Sequence, residues 1–237
     1  MKHHILKFFK LLIPILAIQY LILQTSKVEG VSMQGTFYEN DIIFVSMLSY
    51  GLPVPSFNKY TIKDVFDDDH IITGEGPDRG DIITLKHNKK DEVQHYIKRM
   101  IAKDGDELIF TNNKMYLHTK EDMNSPRRRL NGKDWYANPY EKQYRSSNTF
   151  FTEYKRNRDE LIYGYYNGAL KPIYLENLGD KDTFKIKGEK YNAFYFKVPA
   201  GEYFVMGDNV DMSSDSRLFG SIKYKDIMGK VVATFRL

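Results

Sequence analysis

Hydrophobic positions divide this chain into an apolar start and a remainder that alternates. An apolar run from Leu11 to Leu23, extended backwards by Ile5, Phe8 and Phe9, approaches the ~20 residues a helix needs to cross a bilayer. Lys10 lies close enough to its end to snorkel. The run is apolar all round, unlike the one-sided stripe of a buried amphipathic helix. A cleaved targeting segment is the rival reading, but Gln24-Thr25-Ser26-Lys27 lacks the small residues of a cleavage site. The pattern therefore predicts a retained anchor. Lys2, Lys7 and Lys10 ahead of it predict a cytoplasmic N-terminus, with everything after the anchor on the outer face.

Beyond the anchor the period is that of strands. Asp41–Val45 and Asp81–Leu85, the second behind a Gly80 turn, are short β-rich runs. From Gln94 to Ile101 the chain alternates, with Tyr96, Lys98 and Met100 on one face and His95, Ile97, Arg99 and Ile101 on the other. Asp104-Gly105-Asp106 predicts a turn, Glu107–Phe110 another strand, and Tyr203–Met206 and Val231–Phe235 two more. Long helical periodicity is scarce, so the expected class is mainly β. Residues from about Thr111 to Lys197 are rich in tyrosine and broken by polar stretches, as an insertion between core strands would be. The expected organisation is an N-terminus and anchor over 1–27, a catalytic core over 28–110 and 198–237, and an inserted α+β or β cap subdomain over 111–197.

Three segments invite sharper readings. Arg127-Arg128-Arg129 reads as a solvated loop, with a lipid-headgroup contact as the alternative. Ser49–Phe57 is a loop by its Gly and Pro content yet apolar, which suits packing under a turn or contact with the bilayer. Asp67-Asp68-Asp69-His70 reads as a hydrated acidic loop, since no second ligand cluster at metal spacing accompanies it.

Composition narrows this picture only a little. With 237 residues the chain can bury one core plus an insertion, and 42% hydrophobic against 28% charged residues suits a folded protein. The net charge of +4 fits an anionic membrane surface as well as a nucleic acid. Cysteine is absent, which excludes a disulfide framework, a thiolate metal site and a cysteine nucleophile. No repeat, Gly-rich phosphate loop or helix-turn-helix pattern occurs, and neither a metal, an organic cofactor nor a nucleic-acid partner is expected.

For chemistry, Ser32 stands just past the anchor and ahead of an expected strand. A serine needs a base to lose its proton at neutral pH. None of the six histidines sits in a motif with an acidic partner. A lysine serves instead if burial disfavours its ammonium form. Lys98 meets that need inside a strand, beside Tyr96 and Met100; the plain alternative is a lysine snorkelling from a strand edge.

Four segments in order carry a resemblance: Gly30-Val31-Ser32-Met33-Gln34-Gly35-Thr36, Gly80-Asp81-Ile82-Ile83, Tyr96–Asp106, and Gly207-Asp208-Asn209 followed by Ser213-Ser214-Asp215-Ser216-Arg217-Leu218-Phe219-Gly220. Together they are similar to the sequence boxes of type I signal peptidases, the last being the most specific. The resemblance spans the anchor and both core portions and leaves out the insertion. It implies a β-barrel-like catalytic core behind a single transmembrane helix, with Ser32 as nucleophile, Lys98 as general base and the Ser32 N–H as oxyanion donor. It implies that Ser213 orients the lysine amine, with Asp215 and Arg217 as a supporting pair and Asp208 nearby. Val28, Met33, Phe37, Tyr96 and Ile97 match positions that shape shallow apolar pockets for small side chains. The implied substrates are secretory preproteins sharing a phospholipid bilayer with the enzyme, at the outer face of a bacterial cytoplasmic membrane. The substrate would bind as an added β-strand.

The chain departs from the family pattern in places. Gly35 stands where proline is usual, which suggests a looser turn after Ser32. Gly30 stands where some members carry a serine as second oxyanion donor, and Val210 and Met212 replace the usual Arg and Asn. These leave room for a specialised relative that matures one dedicated exported substrate. A catalytically silent membrane scaffold is a further alternative, against which the presence of both Ser32 and Lys98 speaks.

Overall fold

In the computed structural model, the structure describes residues 10, 22–53, 70–89, 92–111, 114–140, 170–175, 184–186 and 189–236. Of the expected N-terminus and anchor over 1–27, only Lys10 and residues 22–27 are described, and Leu23–Lys27, where the apolar run ends, form a strand. Among the described residues no helix is long and apolar enough to cross a membrane. The acidic run 67–69 also lies outside them.

The described chain is mainly β. Its strands are β1 (Leu23–Lys27), β2 (Ile42–Ser46), β3 (Gly51–Pro53), β4 (His70–Thr73), β5 (Ile82–Lys89), β6 (Glu92–Lys103), β7 (Glu107–Phe110), β8 (Met115–His118) and β9 (Arg127–Leu130). They continue with β10 (Lys133–Ala137), β11 (Lys171–Ile173), β12 (Phe184–Ile186), β13 (Glu189–Tyr191), β14 (Ala193–Lys197), β15 (Glu202–Met206), β16 (Ile222–Lys223) and β17 (Ile227–Phe235). A single-turn helix, α1 (Ser216–Phe219), follows β15. One sheet has the order β1-β2-β17-β5-β6-β15-β16, a second the order β11-β14-β7-β8-β10-β9, and β3-β4 and β12-β13 form two small ribbons.

The first sheet corrects the barrel-like expectation. A barrel closes only when its two edge strands pair. Here β16 has two residues and pairs with β15, while β1 pairs with β2 and every one of its residues is exposed, so the sheet stays open. Residues of β1, β2, β5, β6 and β17 nevertheless line one cleft, so the sheet curls without closing.

The second sheet packs across the first. Ile101 and Ala102 of β6 with Phe204 and Met206 of β15 meet Leu108, Phe110, Met115, Leu117, Phe194 and Phe196 of the second sheet in one buried core. Phe204 lies 5.7 Å from Phe110 and 5.1 Å from Phe196 between ring centres. Each such side chain contributes roughly 1.5–3 kcal/mol on full burial. Strand β7, only a Gly105 turn away from β6, already pairs within the second sheet. Two smaller cores lie within the first-sheet region: Val28, Met33, Phe37, Ile43, Val45 and Met47 form one, and Tyr50, Ile83, Leu85, Val205, Ile222 and Ile227 the other.

Local readings change in three places. The strict alternation read over Gln94–Ile101 breaks at a bulge: Val205 faces Met100 while Phe204 faces Ala102, so Ile101 and Ala102 both enter the same core. The triple arginine is no loop but β9, an edge strand paired with β10, where charged side chains remain solvated. Within Ser49–Phe57, Gly51–Pro53 is a strand paired with β4, and 54–57 lie outside the described residues.

Candidate active site

Ser32 sits in a turn that its neighbours hold from below. Met33 and Phe37 are buried in the core with Val28, and the N–H groups of Thr36 and Phe37 both donate to the Met33 carbonyl, at 3.0 and 2.9 Å. Gly35 has φ +97°, a conformation closed to proline, whose ring holds φ near about −65°. Proline is thus excluded here by backbone geometry, and the turn expected to be loose is closed by hydrogen bonds on either side of that glycine.

Lys98 stands in β6 between β5 and β15, opposite Ile83, and is 1% exposed. Its Nζ lies 2.9 Å from Ser32 Oγ and donates to the Ile97 carbonyl at 2.9 Å, with the Tyr96 ring centre 5.1 Å away. Burial disfavours the ammonium and brings its pKa from 10.5 down to about 8. Asp215 and Asp208 act against that shift and Arg217 with it, but desolvation is the largest effect.

The third component is the stretch from Gly207 to Arg217. The Gly207 N–H donates to Asp215 Oδ2 at 3.0 Å, and a Cβ built on Gly207 would fall inside contact distance of both Ser213 Oγ and the Ser32 carbonyl. Only glycine therefore lets this loop lie against the nucleophile's backbone. Ser213 is buried and its Oγ makes no hydrogen bond to Lys98; its hydroxyl lies towards the Asp215 carboxylate and helps hold it ionised. Asp215, the N-cap of α1, holds Arg217 through Nε at 2.8 Å and Nη2 at 2.9 Å, while Arg217 Nη2 also donates to the Val210 carbonyl at 2.7 Å. Burial pushes the Asp215 carboxyl up, but the Arg217 charge and hydrogen bonds hold it below the usual range.

Asp208 belongs elsewhere. It pairs bidentately with Arg99, the residue after Lys98, through Nε at 2.8 Å and Nη2 at 2.6 Å, and it also accepts from Thr36 Oγ1. Arg99 further donates to the Gly80 carbonyl at 2.8 Å, so one buried guanidinium joins three of the four sequence boxes, and Thr36 brings in the fourth. Sequence reasoning assigned no role to Arg99, Thr36, Gly207 or Asn209. The signal was available for Arg99, because an arginine inside a core strand demands a carboxylate.

Of the expected pocket residues, Val28, Met33, Tyr96 and Ile97 line a cleft of about 470 Å³ together with Ser32 and Lys98. Gln24, Thr25, Ser26 and Lys27 of β1 flank it on the other side. Phe37 does not reach the cleft; it packs beneath it, 5% exposed. Among the described residues no cluster of His, Asp or Glu is arranged to hold a metal ion. A buried lysine of lowered pKa against a serine hydroxyl, in a cleft with one apolar wall and an edge strand along its border, suits acyl transfer from an extended peptide.

The model of the family "Signal peptidase, peptidase S26" matches residues 1–236. The signal peptidase I of Helicobacter pylori (strain J99) is 33% identical over 235 residues, covering 92% of this chain and 76% of its own. That of Buchnera aphidicola from Acyrthosiphon pisum is 30% identical over 240 residues, covering 95% and 72%. A crystal structure of a signal peptidase I from Enterococcus faecalis V583 overlaps 67% of this chain and 98% of its own at 22% identity, with a TM-score of 0.32. On the family match and these identities, the chain belongs to the signal peptidase family, peptidase S26, and is a serine peptidase.

Proposed function

We propose that this peptidase removes signal peptides from secretory preproteins by a Ser-Lys dyad mechanism. The observation that carries the reading is the 2.9 Å contact between Ser32 Oγ and the buried Nζ of Lys98. With a pKa of about 8, roughly a tenth of Lys98 is neutral near pH 7, enough to act as base. The neutral amine takes the Ser32 proton as Oγ attacks the scissile carbonyl, and the Ser32 N–H donates to the oxyanion. The ammonium then protonates the leaving amine, which yields the acyl-enzyme ester. Lys98, neutral again, deprotonates the water that hydrolyses it.

The substrate lies extended along the free edge of β1, its small side chains entering the wall formed by Val28, Met33, Tyr96 and Ile97. Cutting after a small-x-small pattern follows from the shallowness of that wall. Asp215 and Arg217, with Ser213 beside them, brace the loop that lies against Ser32, and Asp208 holds Arg99, the residue after Lys98. The enzyme works on the outer face of a bacterial cytoplasmic membrane, held there by the apolar run ending near Leu23. Exposed apolar side chains on β1 and β17, Leu23, Val232 and Phe235, suit contact with the phospholipid surface, and no nucleic acid is involved.

The test compares wild type, Ser32→Ala and Lys98→Ala in detergent on a preprotein, following the mature fragment by mass. Cleavage by wild type after a small-x-small site, lost in both variants, is the expected result. Cleavage by either variant at the wild-type rate would sink the mechanism. A wild type that cuts one of several unrelated preproteins and ignores the rest would move the reading to a specialist.

A further inference from the structure

Both carbonyls flanking the Ser32 α-carbon accept from Asn209, and the Val31 carbonyl accepts from the Gln34 N–H as well, at 3.1 Å. The backbone N–H of Asn209 donates to the Ser32 carbonyl at 3.0 Å, and its side-chain Nδ2 donates to the Val31 carbonyl at 3.1 Å. Asn209 is 1% exposed and follows the Gly207-Asp208 pair that meets the nucleophile and Arg99. In a trans peptide the C=O and the N–H point in opposite directions. The Val31 carbonyl shares its peptide plane with the Ser32 N–H, so a hydrogen bond that fixes the first aims the second. Among the described residues the Ser32 N–H has no hydrogen-bond partner of its own.

The amide orientation is forced. Val31 presents only an acceptor, so the NH2 must face it; exchanging the two amide ends would set oxygen against oxygen. The other end of the amide, Oδ1, is left buried without a partner. That unpaired acceptor lowers stability, while Nδ2 also lies 3.4 Å from Gln34 Oε1, so the amide ties the turn around Ser32 at two points. We infer that Asn209 is a positioning residue that aims the Ser32 N–H into the cleft as the oxyanion donor. This rests on the Ser32 mechanism proposed above.

Asn209→Asp is nearly isosteric but sets a carboxylate oxygen against the Val31 carbonyl; Asn209→Ala and Asn209→Ser remove the contact with less charge. Each is measured as the full chain in detergent, with rates divided by the folded fraction from thermal melting. A drop in kcat on the order of 10- to 100-fold is expected, less than the roughly 100- to 1000-fold of a lost oxyanion donor because the Ser32 N–H is misaimed rather than removed. KM should stay within about threefold of wild type, because ground-state binding does not use the oxyanion. Affinity for a peptide aldehyde, whose adduct with Ser32 carries the oxyanion, should fall in parallel with kcat, and the pH at which activity breaks should not move, since Lys98 is untouched.

The inference is overturned if kcat per folded enzyme stays near wild type. It is also overturned if the pH break shifts, which would mean a displaced Lys98, or if every variant unfolds, which would make Asn209 purely structural. A Ser32→Ala enzyme run alongside separates the two levels: should it retain activity, the underlying mechanism fails, whatever Asn209 does.

Discussion

Replacing Lys98 by methionine should abolish cleavage and yet stabilise the protein at neutral pH. The unfolded chain holds this proton with the ordinary lysine pKa of 10.5, the folded chain with one of about 8. Between those values the unfolded state binds more protons, so stability from this group rises with pH through the window from about 8 to 10.5. Below the window the full penalty of the buried ammonium is present; above it the penalty is gone. Two and a half units at 1.36 kcal/mol each make that penalty about 3 kcal/mol. Methionine keeps an unbranched stem and does not titrate. It forfeits the hydrogen bonds to Ser32 Oγ and the Ile97 carbonyl, roughly 1 kcal/mol apiece and nearly independent of pH. The Lys98→Met variant should therefore be about 1 kcal/mol more stable than wild type near pH 7 and about 2 kcal/mol less stable near pH 11. Urea denaturation of both proteins at several pH values measures this, and the other titrating groups cancel in the difference. Below that window kcat/KM of wild type should rise with pH and then level off above about pH 8, where the folded enzyme's Lys98 is neutral. A stability difference flat across pH, or an activity break near the ordinary lysine value, would refute the claim that burial makes Lys98 a base.

Three further changes separate backbone from side-chain requirements. Gly207→Ala places a methyl group against Ser213 and the Ser32 carbonyl, so kcat on a preprotein should fall at least tenfold by rough estimate, with folding monitored by circular dichroism. Gly35→Pro, although it restores the residue usual in the family, cannot reach φ +97°; it should lower stability by upward of about 1 kcal/mol in urea denaturation and displace Ser32. Asp215→Asn removes the carboxylate charge that the buried Arg217 guanidinium holds at 2.8 Å, a cost of about 3–5 kcal/mol by the same measurement. Because the Asp215 charge holds the Lys98 pKa up, the activity break of that variant should also move to lower pH.

What the sequence made legible was what is local. The strands Glu107–Phe110 and Ile42–Ser46 fall within a residue of their expected limits, since period-two alternation and a Gly-containing turn act over a few residues. Arg127–Leu130 was misread because a charged run looks solvated in one dimension, whereas an edge strand satisfies its backbone on one side and leaves its arginines in water. The motif residues were found, but not their pairings. Asp208 sits seven residues from Asp215 in the chain and yet binds Arg99, a partner 109 positions away. Phe37 looked like a pocket wall because it directly follows the box that carries Ser32, but the turn at Gly35 drops it beneath the cleft.

The same distinction explains Lys98. Alternation could place it on the face of a strand, but not say whether that face was wet. The answer came from β5 and β15 closing on either side of β6 and from the Gly207 loop pressing against Ser32. Desolvation is thus a property of the assembled sheet, and the base exists only once strands separated by more than a hundred residues have paired. It follows that the lowered pKa should appear together with the β6–β15 pairing. A change that loosens that pairing while sparing both dyad residues, such as Val205→Ala opposite Met100, should move the activity break back towards the ordinary lysine value.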